Sequence, residues 1–149
     1  MVIGPIIETR ENGTTIQEDI SLDELLKLPI SKTIRLTWEH DGQTYWIENP
    51  KGLRSQAVDG REFVAVIFNN DPDPHCMFLC DAEAKPVWFA PLKLRDGSEI
   101  SYGWFDTRPE DSTAIVGAII NVLNSYFGPQ FRVNLDLKCG KILDIFEYR

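Results

Sequence analysis

Three cysteines, two histidines and two methionines are all that this chain of 149 residues offers for thiol, imidazole or thioether chemistry. Cys76, Cys80 and Cys139 are odd in number and too few for a disulfide framework. The first residues, MVIGPIIETRENG, lack the basic stretch and long apolar core of a secretory signal, so reduced thiols and a cytoplasmic location are expected. His75, Cys76 and Cys80, with Cys139 as a fourth, are the nearest approach to a ligand set. In a strand, the offset of four places Cys76 and Cys80 on one face roughly 13 Å apart. A tetrahedral zinc holds its ligands at about 2.0–2.3 Å, so buried free thiols are expected here, with no metal and no cofactor.

The chain also lacks the short signatures of catalysis. It has no Gly-x-Ser-x-Gly, no His-Glu-x-x-His, no phosphate-cradling Gly-rich loop and no dinucleotide fingerprint. His40 beside Asp41, and His75 after Asp71 and Asp73, are the only imidazoles with a carboxylate nearby in sequence. Neither comes with a nucleophile, and hairpin tips account for both. No catalytic residue can be named, and a non-enzymatic protein is the expectation.

Basic clusters are missing as well. With 23 acidic against 15 basic side chains the formal net charge is −8, which disfavours nucleic acid and anionic membranes as partners. A basic protein or a small cationic ligand fits that balance better. The longest stretch without charge, between Asp111 and Arg132, is interrupted by two asparagines, a serine and Gly128-Pro129, so it falls short of a membrane span. What is present is ordinary for a globular domain: 43% hydrophobic and 26% charged residues, with no repeat and no low-complexity tract. A length of 149 residues is enough to bury roughly 68–70% of the unfolded surface in one core, so a single domain over residues 1–149 is expected.

That uncharged stretch reads as a helix over about residues 109–127. Thr107 and Glu110 have capping-box spacing, Pro109 suits a first turn, and Gly128-Pro129 is a stop. At about 100° per residue its apolar positions cover an arc of roughly 200°, twice that of a surface helix. Such a helix needs cover on several sides, and Gly117 and Ala118 would let two copies approach, which suggests a homodimer through it. A second, short helix is expected over about 22–28, from the Ser21 to Glu24 capping box to Pro29, and at that length it is stable only when packed.

The remainder reads as strands. Ile34, Leu36 and Trp38 alternate with polar residues before Asp41-Gly42 turns the chain into 43–48, a strong hairpin pattern. A weaker strand-and-turn pattern runs from Val2 through Asn12-Gly13. Residues 49–60 read as a surface loop. Residues 62–68 are apolar after the first and suit a strand buried on both faces. Strands follow over 76–80, 86–89 and 99–105, then over 131–138 with strict alternation, then over 142–148. Strands in runs with few helices predict an α+β fold, an antiparallel meander of six to eight strands with the long helix on one face.

Two functional expectations follow. A regular meander would bring Asp81, Glu83, Asp106, Glu110 and Asp111 to one end of the sheet, an acidic patch able to steer a basic protein in the manner of immunity or inhibitor proteins. Alternatively Trp88, Tyr102 and Trp104, on neighbouring strands, would line a pocket for a cationic or aromatic ligand.

Overall fold

The computed structural model of the protein describes residues 2–58, 60–106, 114–123 and 130–147. Among these are twelve strands and one short helix: β1 (Ile7–Arg10), β2 (Thr15–Gln17), α1 (Leu22–Leu26), β3 (Thr33–His40), β4 (Gln43–Glu48), β5 (Leu53–Val58), β6 (Phe63–Phe68), β7 (Cys76–Asp81), β8 (Pro86–Phe89), β9 (Ile100–Phe105), β10 (Ile115–Val122), β11 (Gln130–Asp136) and β12 (Ile142–Glu147). They form three four-stranded antiparallel sheets in the orders β2-β1-β3-β4, β5-β6-β7-β8 and β12-β11-β10-β9.

The β5-β6-β7-β8 sheet is the middle layer, and side-chain alternation shows why. Val64, Val66, Phe78 and Cys80 point to one face, where they meet Ile3, Ile6, Leu36 and Trp38 of the first sheet and its lead-in. Ala65, Ile67, Met77 and Leu79 point to the other and meet Ile100, Tyr102, Val116, Ala118, Ile120, Val133 and Leu135 of the third sheet. The uninterrupted apolar sequence of β6 is therefore that of a strand covered on both faces, as the sequence implied. The β3–β4 hairpin also forms where expected: His40 pairs with Gln43, and Asp41 and Gly42 both have positive φ, 51° and 75°. That is the primed turn whose twist matches the strands.

The long helix is not there. Ile115–Val122 is β10, paired with β9 on one side and β11 on the other. Thr107, Glu110 and Gly128-Pro129, the expected cap and stop, lie outside the described residues. An apolar run on all sides of a helical wheel is equally the pattern of a central strand, and five of the eight β10 residues are β-branched. Gly117 belongs to this strand geometry: a β-carbon there would collide with the Asp106 carbonyl and stand 2.9 Å from the Arg132 guanidinium. With no helix, the helical face that suggested a homodimer is gone; Val116, Ala118 and Ile120 are core, and Ile119 on the opposite face has no exposure.

Two further expectations change. Residues 49–60 are not one loop, because β5 occupies Leu53–Val58. Among the described residues the fold is nearly all β rather than α+β, and its strands are divided among three sheets rather than strung through one meander. The alternation of β11 is preserved, yet Arg132 and Asn134 on its polar side are also buried, at 5% and 7% exposure.

Candidate functional site

The residues of the expected acidic patch come from two sheets rather than from one meander. Asp81 closes β7 in the middle sheet, and its carboxylate accepts hydrogen bonds from the backbone N–H groups of Glu83 (2.9 Å) and Lys85 (3.0 Å). It builds the β7–β8 turn. Glu83 is 3.2 Å from the Lys85 ammonium. Asp106 follows β9 in the third sheet and pairs at 2.8 Å with the buried Arg132. Glu110 and Asp111 lie outside the described residues.

Of the aromatic trio, Tyr102 and Trp104 both line a cavity at β9. Trp88 and Tyr102 are core residues, each with its polar atom satisfied by a backbone carbonyl: Trp88 Nε1 donates to Leu137 at 2.8 Å, and Tyr102 Oη to Pro91 at 2.7 Å. Burial holds the Tyr102 phenol above its ordinary range. Trp104 does not share their face. Tyr102 pairs with Ile120 and Trp104 with the adjacent Ile119, leaving Gly103 unmatched in a bulge that reverses the alternation. Phe105, rather than Trp104, packs toward the core beyond the bulge.

Of the thiols, Cys80 is fully buried, Cys76 half-buried and Cys139 exposed. Burial, seconded by Asp81, pushes the Cys80 thiol up to about 12. Among the described residues no three His, Cys, Asp or Glu side chains are grouped to hold a metal ion.

Two features stand out that sequence spacing did not reveal. The first is α1. Ser21 caps it by accepting from the Glu24 N–H at 3.2 Å, yet none of its residues is buried. Leu22 and Leu26, one turn apart on one face, are 68% and 73% exposed, and Ile30 just beyond is fully exposed. Exposed carboxylates of Asp19, Asp23 and Glu24 flank them. Both ends of the segment are fastened: Ile20 N–H donates to the Gln17 carbonyl, Arg10 reaches the Pro29 carbonyl at 2.9 Å, and Asn12 N–H reaches Ser31 Oγ at 3.2 Å. The capping box and the leucines were readable from the sequence; that the leucines face solvent was not.

The second is a cavity of about 540 Å³ where β9 crosses the end of the middle sheet, between Lys32, Lys51, Arg54, His75, Ser101 and Trp104. Among the described residues its one lining carboxylate is Glu8, which accepts from Thr33 Oγ1 at 3.1 Å. Its frame is a chain of hydrogen bonds. Asn49 Nδ2 donates to the carbonyls of Gly52 and Asn69, each at 2.9 Å. Lys51 Nζ donates to the Asp71 carbonyl at 2.9 Å, and the His75 imidazole is 2.9 Å from the Asp71 carboxylate. That contact, first among several, holds the Asp71 carboxyl below its usual range. Across the sheets, His75 N–H donates to Ser101 Oγ at 2.8 Å and Tyr102 N–H to the His75 carbonyl at 3.1 Å. Lys51 and Arg54 are three residues apart, and the fold brings Lys32, Ser101 and Trp104 to them.

No family model matches this chain, and no curated protein matches it in sequence. Its fold is similar to that of a chain in the structure of Tne2 in complex with Tni2, with a TM-score of 0.87 and 21% identity. The likeness covers 99% of this chain and 100% of that one. Among the described residues, no helix is long and apolar enough to cross a membrane.

Proposed function

We propose that this chain is a small acidic, non-enzymatic binding protein that sequesters or inhibits a basic protein partner, as an immunity or inhibitor protein does. The observation that carries this reading is α1. Helices far shorter than about 12–15 residues do not persist in water without packing. A five-residue helix with nothing buried, presenting Leu22, Leu26 and nearby Ile30 among carboxylates, has the character of a surface completed by something else. Apolar side chains supply desolvation on contact, and Asp19, Asp23 and Glu24 select a basic counterpart and speed its approach. The likeness in fold to a protein that is found in a two-protein complex supports the reading. Asp81 and Asp106, already committed to a turn and to Arg132, are less suited to the role.

The test is affinity capture from native lysate, run in parallel with the wild type and with Leu22→Ser/Leu26→Ser/Ile30→Ser, followed by titration of the captured protein. The expected result is one basic partner, bound at one-to-one stoichiometry and inactive in the complex. It should associate more slowly as salt is raised and be lost by the triple variant. A partner kept equally by the variant, or bound without any salt dependence, would overturn the assignment.

The second reading, a small-molecule site lined by tryptophan, draws support only from the cavity at β9. Its lining is cationic, which suits an anion rather than the cation expected from the aromatic residues alone.

A further inference from the structure

We infer that the cavity at the β9 crossing binds a small phosphate-bearing organic anion. In a protein of net charge −8, Lys32, Lys51 and Arg54 gather at one cavity whose described lining residues include one carboxylate, Glu8. Concave walls concentrate the field of such a cluster. Lys32 shares its charge with Glu11, 3.2 Å away, and Lys51 shares its own with the nearby Asp71 carboxylate. Arg54 carries the argument further, because it has no acidic partner among the described residues. On β5 it pairs with Ile67, whose side chain faces the third sheet, so the guanidinium rises from that face of the middle sheet where β9 crosses it. An uncommitted planar fork of N–H donors is the side chain best matched to phosphate oxygens.

The site is also formed in advance. Lys51 is fastened to the Asp71 carbonyl, and the same aspartate holds His75, whose backbone locks onto Ser101 and Tyr102. Little ordering is then left to oppose binding. A cavity of about 540 Å³ falls within the range of small-molecule sites, roughly 300–1,000 Å³, and exceeds what inorganic phosphate alone would fill. Trp104, placed here by the Gly103 bulge, provides an apolar surface for the body of the ligand, so a phosphate joined to a flat ring suits it best.

The experiment is calorimetric titration of the full chain at low ionic strength with two probes, inorganic pyrophosphate and adenosine 5′-monophosphate. Saturable one-to-one binding of the nucleotide is expected. Arg54→Gln should weaken both probes about tenfold or more, and Trp104→Phe should weaken the nucleotide alone. Arg54 is exposed, so its variant should keep the wild-type melting temperature and report on binding only. The triple α1 variant should bind both probes as the wild type does. Absence of saturable nucleotide binding, or equal affinity in Arg54→Gln, would overturn the assignment.

Discussion

Gly140 lies directly against the indole of Trp88: a β-carbon built on it would stand 2.5 Å from Cε3 and 2.6 Å from Cδ2 of the ring. The same indole donates to the Leu137 carbonyl at 2.8 Å, so the β11–β12 turn is seated on one side chain of the middle sheet. Gly140 itself has φ of +77°, which a side chain rarely adopts. Gly140→Ala therefore meets both a clash and an unfavourable backbone. A loss of about 2–3 kcal/mol is expected, or roughly 6–10 °C in melting temperature. Thermal melts followed by near-ultraviolet circular dichroism would check this, and a variant as stable as the wild type would refute the packing.

The first sheet has its own fastening. Glu18 is held bidentately by Arg61, at 2.6 and 2.7 Å, and also accepts the Ile6 N–H at 2.7 Å. Arg61 additionally donates to the Gly4 carbonyl at 3.0 Å, so one ion pair secures the segment that carries Ile3 and Ile6 into the core. The Arg61 hydrogen bond outweighs the opposing effect of burial and lowers the Glu18 carboxyl from its ordinary 4.5. A lowered folded-state value means that the stabilisation is complete above that pH and is lost as pH falls through the folded value. Both side chains are 36% exposed, so solvent screening limits the effect to about 1 kcal/mol at neutral pH. Urea titrations of Glu18→Gln should show that deficit at pH 7 and its disappearance in acid. A deficit independent of pH would point to shape rather than charge.

How much of this was legible beforehand depends on how local each determinant is. Asp41-Gly42, the alternation through Leu36 and Trp38, and the apolar run of β6 are decided within a few residues, and each formed as read. The stretch around β10 was misread because an all-apolar segment satisfies helical and central-strand patterns alike; the β-branched residues were the neglected signal. Alternation alone would put Trp104 on the face of Tyr102, but one unmatched residue, Gly103, reverses the period of two. The acidic grouping rested on one meander, whereas β7 and β9 lie in different sheets, and Glu110 and Asp111 lie outside the described residues. Of the cationic cavity only the Lys51 and Arg54 pair is local in sequence; Lys32, Ser101 and Trp104 join it through tertiary assembly.

The buried Arg132 offers a sharper check on that revised architecture. It pairs with the Asp106 carboxylate at 2.8 Å and reaches the Asp106 carbonyl at 3.3 Å, beside Gly117. Neutralising one side of a largely buried ion pair removes part of what offsets the desolvation of the other charge, at a cost of up to about 3–5 kcal/mol. Asp106→Asn should accordingly destabilise the protein strongly, whereas Glu83→Gln, at the exposed turn, should leave it within about 0.5 kcal/mol of wild type. Equal stability of the two variants would contradict the structural role given to Asp106.

Thiol chemistry separates the cysteines. Cys80 is fully buried with its thiol pushed up to about 12, so almost no thiolate forms at pH 8. Ellman's reagent should modify the exposed Cys139 first and the half-buried Cys76 more slowly, with Cys80 silent until urea unfolds the chain. Rapid reaction of all three thiols in the native protein would contradict this packing.

The exposed helix makes the last prediction, because stability and binding should part company there. Leu22 and Leu26 bury nothing in the free protein, so replacing them with serine removes no core contact. Leu22→Ser/Leu26→Ser should melt within about 0.5 kcal/mol of wild type, whereas the same change at Leu36 would empty the core. Hydrogen exchange tests the same point without mutation. The Leu25, Lys27 and Leu28 amides, which close the turns of α1, should exchange quickly in the free chain because nothing packs over them. In complex with the captured partner they should become slow, while the amides of β6 stay protected in both states. Equal protection of α1 with and without partner would place the contact elsewhere on the surface.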